Sequence, residues 1–210
     1  MKQTVISLCD RTGVMVRPFA EAGHPCLCLD WQHSIRADRV EGNITYRWAD
    51  IHGVTAADLP ENPCFVFAFP DCTHGAGSGA RDWRKKGLVK VIQWLSLFEK
   101  CRQLCEWFRC PYLIEQPVVD EVISRHWRPP DYRFHPWEYG DLWTKKTQLW
   151  TGGGFVMPTP IHADPPPGTT DKIHKMPPGP ERADLRSETP PNFARAVFEA
   201  NRHLLGASHV

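Results

Sequence analysis

Four acid or thiol side chains stand at the ends of short apolar runs. Asp30 follows residues 25–29, Asp50 follows 44–49, Cys72 follows 64–69, and Glu115 closes the run that begins at Pro111. Runs of this length, rich in aromatic and β-branched residues, read as strands buried on both faces. Open α/β sheets place their ligands just past the carboxyl ends of such strands. Cys72 lies in Pro70-Asp71-Cys72-Thr73-His74-Gly75-Ala76-Gly77-Ser78-Gly79, where small residues let the backbone turn sharply or approach a ligand. A thiol there has two readings, a small buried hydrophobe or a nucleophile. Asp30, about 20 residues past the first loop, either accepts hydrogen bonds from ribose hydroxyls or caps a helix. Glu115, at the end of a buried strand, is costly unless paired or used.

The elements that would position these groups follow from periodicity. Residues 4–8 form a first strand, and the loop Cys9-Asp10-Arg11-Thr12-Gly13 leads into an amphipathic helix carrying Val14, Val16, Phe19 and Ala20 and closing near Gly23. Strand, glycine-bearing turn and helix is the order that cradles a nucleotide-like ligand at a helix N-terminus, and one glycine is a weak form of it. Leu88, Val91, Ile92, Leu95, Phe98, Cys101, Leu104, Cys105 and Phe108 recur at helical spacing and predict one long structural helix. Residues 132–150 are aromatic-rich, either stacking on bases or packing as a hairpin, and end in a strand over 147–150. Residues 151–184 concentrate proline and glycine and read as an extended loop in which His162 and His174 stand alone. Pro190-Pro191 then open a short amphipathic helix bearing Phe193, Ala194, Val197, Phe198 and Leu204. Arg81, Arg84 and Lys85, with Lys145 and Lys146 further on, offer basic surface to phosphates; a solvated loop is the plain alternative for each.

Composition narrows the classes. The 210 residues suit one domain with at most a small extra lobe, and 41% hydrophobic residues exclude a disordered chain. A formal charge of +1 advertises no global affinity for nucleic acid, so any such partner must meet a local patch. No apolar run reaches the length of a membrane span, and residues 1–8 run straight into a strand with no secretory segment. The eight cysteines contain no CxxC pair; they are expected to be reduced thiols of a cytoplasmic protein, with no metal site.

In this order the motifs resemble the DNA cytosine-5 methyltransferases, over nearly the whole chain. The resemblance implies a Rossmann-like α/β fold, with a mostly parallel sheet flanked by helices. It divides the chain into a catalytic core over 1–150, a Pro/Gly-rich loop over 151–186 in place of the family's target-recognition lobe, and a C-terminal helix over 187–210. Cys72 matches the family's Pro-Cys nucleophile and Glu115 the carboxylate of its Glu-Asn-Val/Pro strand end. S-adenosylmethionine would be held by Ser7, Leu8, Cys9, Asp10, Thr12 and Gly13 in the first loop. Asp30 would hold the ribose and Asp50 the adenine, with Trp31, Ile51, Pro70 and Ser187 also in the cofactor pocket. Lys145-Lys146-Thr147-Gln148 resembles the Gln-x-Arg-x-Arg segment loosely, and the segment from Arg186 to Pro191 is similar to Gly-Asn-Ser-Val-Pro. The implied activity is methylation of cytosine C5 in DNA by a small, phage-like enzyme, with no metal. A free cytosine nucleotide as substrate, or an inactive relic that binds DNA or a partner, are the alternatives. Two departures bear on chemistry: Gln116 replaces the asparagine, and Asp71 replaces the second proline, where an anion is expected to raise the thiol pKa.

Overall fold

The computed structural model describes residues 2–75, 83–117, 122–175 and 187–205. Eight strands form one sheet: β1 (Val5–Leu8), β2 (Cys26–Asp30), β3 (Arg39–Glu41), β4 (Ile44–Trp48), β5 (Phe65–Ala68), β6 (Tyr112–Pro117), β7 (Tyr132–Phe134) and β8 (Thr147–Gly152). Their spatial order is β3-β4-β2-β1-β5-β6-β8-β7. Strands β4, β2, β1, β5 and β6 pair in parallel, while β8 runs antiparallel between β6 and β7 and β3 pairs antiparallel with β4 at the far edge. This is the expected mostly parallel, Rossmann-like sheet. The hairpin reading of residues 132–150 is the one found, as the β7–β8 pair.

Alternation along the strands divides the core into two layers. Val5, Cys26, Cys28, Phe65, Phe67 and Leu113 face α1 (Arg17–Glu21) and the C-terminal helix, while Ile6, Leu8, Leu27, Val66, Ala68 and Ile114 face α2 (Trp83–Trp107). The short helices α3 (Val122–His126) and α4 (Lys172–Lys175) precede that C-terminal helix, α5 (Pro191–Asn201). Helix α1 begins after Val16 with Pro18 in its first turn and ends before Gly23 at φ +89°, the proline-in, glycine-out pattern that sets helix limits.

Helix α2 departs from the sequence expectation in one respect. Leu88 and Ile92 were expected on its apolar stripe, yet both are exposed, and burial begins only at Trp94 and continues through Phe98, Cys101, Leu104 and Cys105. Gly87, at φ +76°, breaks the helix before Leu88, so the opening turn is set off from the packed part. Strand β3 and helix α3 lacked a sequence signal because each is too short to show a period. No helix among the described residues is long and apolar enough to cross a membrane.

Candidate active site

The strand ends line up as their order requires. Across the sheet the carboxyl ends present Asp50 after β4, Asp30 on β2, Asp10 after β1, Cys72 after β5 and Glu115 on β6.

The loop after β1 is organised by one buried carboxylate. Asp10 accepts hydrogen bonds from Ser7 Oγ at 2.7 Å, from the Thr12 amide at 3.0 Å and from the Gly13 amide at 2.7 Å. Three donors on one anion fix the loop without help from a ligand. Gly13 is required twice over: its φ is +68°, and a Cβ there would lie 2.6 Å from the Tyr46 hydroxyl. Cys9 also sits at positive φ, and its sulfur lies 3.9 Å from that of Cys101. His33 bonds the Asp10 carbonyl through Nε2, closing the loop against the end of β2.

Asp30 is buried, and burial raises its pKa above the usual carboxylate range; the Gln32 amide, 2.7 Å from Oδ1, pulls the other way. Trp31 beside it is 68% exposed, an aromatic face open to solvent. Asp50 is exposed and caps the 3₁₀ turn Ile51–Gly53 by accepting from the His52 amide. The side chains of Leu8 and Ile51 are in the core, so at those positions only backbone is available to a ligand. Ser187 is exposed, at the start of the segment that leads into α5.

At the other end, Asp71 accepts from the Thr73 amide at 2.9 Å and from its hydroxyl at 2.5 Å, which turns the chain at Cys72. The Cys72 thiol is pushed up to about 12, first by burial, then by Glu115 and then by Asp71, with Lys145 opposing. The anion at Asp71 therefore acts in the expected direction but is the least of the three. Glu115 and Lys145 face each other at 3.5 Å, and the side chain of each is mostly buried, 15% and 10% exposed respectively. Lys145 was expected on a phosphate-facing surface. Instead it lies just before β8, buried against Glu115, while Lys146 is exposed. Arg84 and Lys85 are also exposed, and Arg81 lies outside the described residues.

Glu115 and Lys145 line a cavity together with Met15, Phe69, Thr147 and, from the start of α5, Thr189, Pro190 and Phe193. Its volume is about 10 Å³, room for one water-sized body. Asp141 holds that end of α5 in place, accepting from the Asn192 amide at 3.0 Å and the Phe193 amide at 3.3 Å. Sequence reasoning passed over Asp141, since its capping role crosses 51 positions of sequence. It also passed over Gln116 as a functional residue: Gln116 is fully buried and donates through Nε2 to the Pro70 carbonyl. Among the described residues no group of three or more side chains could hold a metal ion.

No family model matches the chain, and no curated protein matches it. Among solved structures, similarity is found to the glycopeptide N-methyltransferase MtfA, at 15% identity over 64% of this chain, with a TM-score of 0.29. A second structure of MtfA, complexed with S-adenosyl-L-methionine, is similar at 14% identity over 64% of this chain, with a TM-score of 0.29. The chain spans about half the length of these proteins, 53% and 50%.

Proposed function

We propose that the chain is a methyltransferase that uses S-adenosylmethionine to methylate C5 of cytosine in DNA, with Cys72 as the nucleophile. The observation that carries this reading is the meeting of Cys72, Glu115 and Lys145 at the carboxyl edge of β5 and β6, two to three strands from the buried Asp30 and its exposed neighbour Trp31 on the same edge.

The first loop and the end of β2 suit the cofactor. Ribose hydroxyls would supply the donors that a buried carboxylate such as Asp30 needs. The open indole of Trp31 offers an apolar face to adenine. Bound there, S-adenosylmethionine supplies an electrophilic methyl group.

The chain's own residues do the rest. C5 of cytosine is a weak nucleophile until something adds at C6, and a thiolate is the soft nucleophile for that addition. The Cys72 thiol passes its proton to Glu115, the carboxylate that acts on it most strongly; its sulfur bonds C6, and the π electron pair of the C5–C6 bond becomes available at C5 while charge spreads toward N3 and O2. The protonated Glu115 carboxyl donates to N3, where negative charge develops, and Lys145 faces the same charge in a site with little water. After methyl transfer a solvent water removes the C5 proton, the C6–S bond breaks, and Cys72 leaves the ring as a thiolate that regains its proton from Glu115. The base must leave the DNA stack to reach Cys72. Entry of a pyrimidine ring beside Glu115 and Lys145 requires the cavity to widen, since it holds one water at most.

A second reading, binding without turnover, is favoured by one observation: a thiol at about 12 is almost wholly protonated at neutral pH. Transfer of labelled methyl from S-adenosylmethionine separates the readings. The expected result is 5-methylcytosine formed in DNA by the wild type and not by Cys72→Ala. Methylation of free deoxycytidine monophosphate in place of DNA would move the substrate to a nucleotide. Retained DNA binding with no transfer to either would leave the non-catalytic reading.

A further inference from the structure

Along β6, Glu115 and Gln116 point to opposite faces, and the second of them is fixed at both ends. Gln116 Oε1 accepts the indole Nε1–H of Trp94 at 3.2 Å, and its Nε2 donates to the Pro70 carbonyl. An indole N–H can only donate, so Trp94 decides which end of the amide is oxygen and turns the NH2 group toward Pro70. Trp94 also meets the far end of the same turn: a Cβ on Gly75 would lie 2.2 Å from its ring, so only glycine allows this approach. A third tie from α2 comes from Lys86, whose Nζ donates to the Thr73 carbonyl at 2.6 Å. The turn Pro70–Gly75 is thus held at its start, middle and end by one helix and the strand packed beneath it. The Cys72 thiol is carried between those points.

We propose that Trp94 and Gln116 are positioning residues for Cys72, a brace by which α2 sets the depth of the thiol in the site without touching substrate. This rests on reading Cys72 as the nucleophile. Gln116 is completely buried on the face opposite Glu115, and Trp94 is 4% exposed, so neither is available to a ligand in the cavity. The brace also gives the glutamine at this position a reason. Its side chain spans from the α2 face of β6 to Pro70, and its amide accepts from the indole and donates to the carbonyl at once without a charge.

The test uses Gln116→Met, which keeps length and loses both hydrogen bonds, and Trp94→Phe, which keeps a packed ring and loses the N–H. The first readout is the rate at which iodoacetamide labels each cysteine, followed by peptide mass spectrometry. Releasing a turn held by buried hydrogen bonds should speed labelling of Cys72 about tenfold in Gln116→Met and less in Trp94→Phe. Cys28 and Cys110, buried elsewhere in the core, should label as in the wild type. The second readout is capture of DNA containing 5-fluorocytosine, which should slow about tenfold with cofactor affinity unchanged. Equal acceleration of all buried thiols, or Cys72 labelling at the wild-type rate in both variants, would overturn the proposal. If Gln116→Met does not fold, Trp94→Phe alone decides. A wild type that labels as described but captures no DNA would count against the cytosine reading and leave the brace standing.

Discussion

Two loops of this protein begin with the same local device and end in different mechanical states. After β1 the chain reads Asp10-Arg11-Thr12, and after β5 it reads Asp71-Cys72-Thr73. In both, the aspartate accepts from the amide and the hydroxyl of the threonine two residues on. Asp10 is 5% exposed and gathers Ser7 and Gly13 as well, so the first loop is complete in itself. Asp71 is exposed, and its turn takes its position from Gln116 and Lys86 outside it. A loop that serves as a fixed cradle can be built from its own side chains. A loop that carries a reacting atom to a ligand is better held by elements that can let it move.

The largest effect that should separate the loops is on thiol reactivity with pH. Cys72 titrates near 12, so its thiolate fraction and its labelling by iodoacetamide should climb about tenfold per unit, roughly a thousandfold from pH 7 to 10. A plateau near pH 8.5 would place Cys72 in open solvent instead. Next in size is Asp10→Ala, which strands Ser7 and two loop amides and should cost about 2–4 kcal/mol in denaturant melts and abolish cofactor binding. Gly13→Ala should cost about 1–3 kcal/mol, from positive φ and the collision with Tyr46. Smallest is Asp71→Ala. An exposed carboxylate outside the core should change stability by less than about 0.5 kcal/mol, and Cys72 labelling should rise only slightly, because burial and Glu115 outweigh Asp71. If Asp71→Ala proved as damaging as Asp10→Ala, the contrast between the loops would be lost.

The strand ends were legible because a parallel sheet buried on both faces leaves continuous apolar runs, and Asp30, Asp50, Cys72 and Glu115 punctuate them. The partners of those residues were harder to read. Lys145 looks like half of a basic surface pair, and its burial comes from Glu115, 30 positions away on β6, a partner that strand parity does not reveal because β8 is buried on both faces. Trp94 and Gln116 are 22 positions apart and meet only because α2 packs on β6, a contact no local period announces. Asp141 capping α5 is of the same kind. The exposed Leu88 and Ile92 show the converse, a helical period that continues past the point where the sheet can cover it.

The most direct test of the account is covalent capture. DNA containing 5-fluorocytosine, with S-adenosylmethionine present, cannot lose the atom at C5, so an attacking thiol stays bonded to C6. A denaturation-resistant protein–DNA adduct, mapped by mass spectrometry to the peptide bearing Cys72 and missing in Cys72→Ala, is the predicted result. An adduct at another cysteine, or none from a folded protein that binds both the cofactor and the DNA, would contradict it.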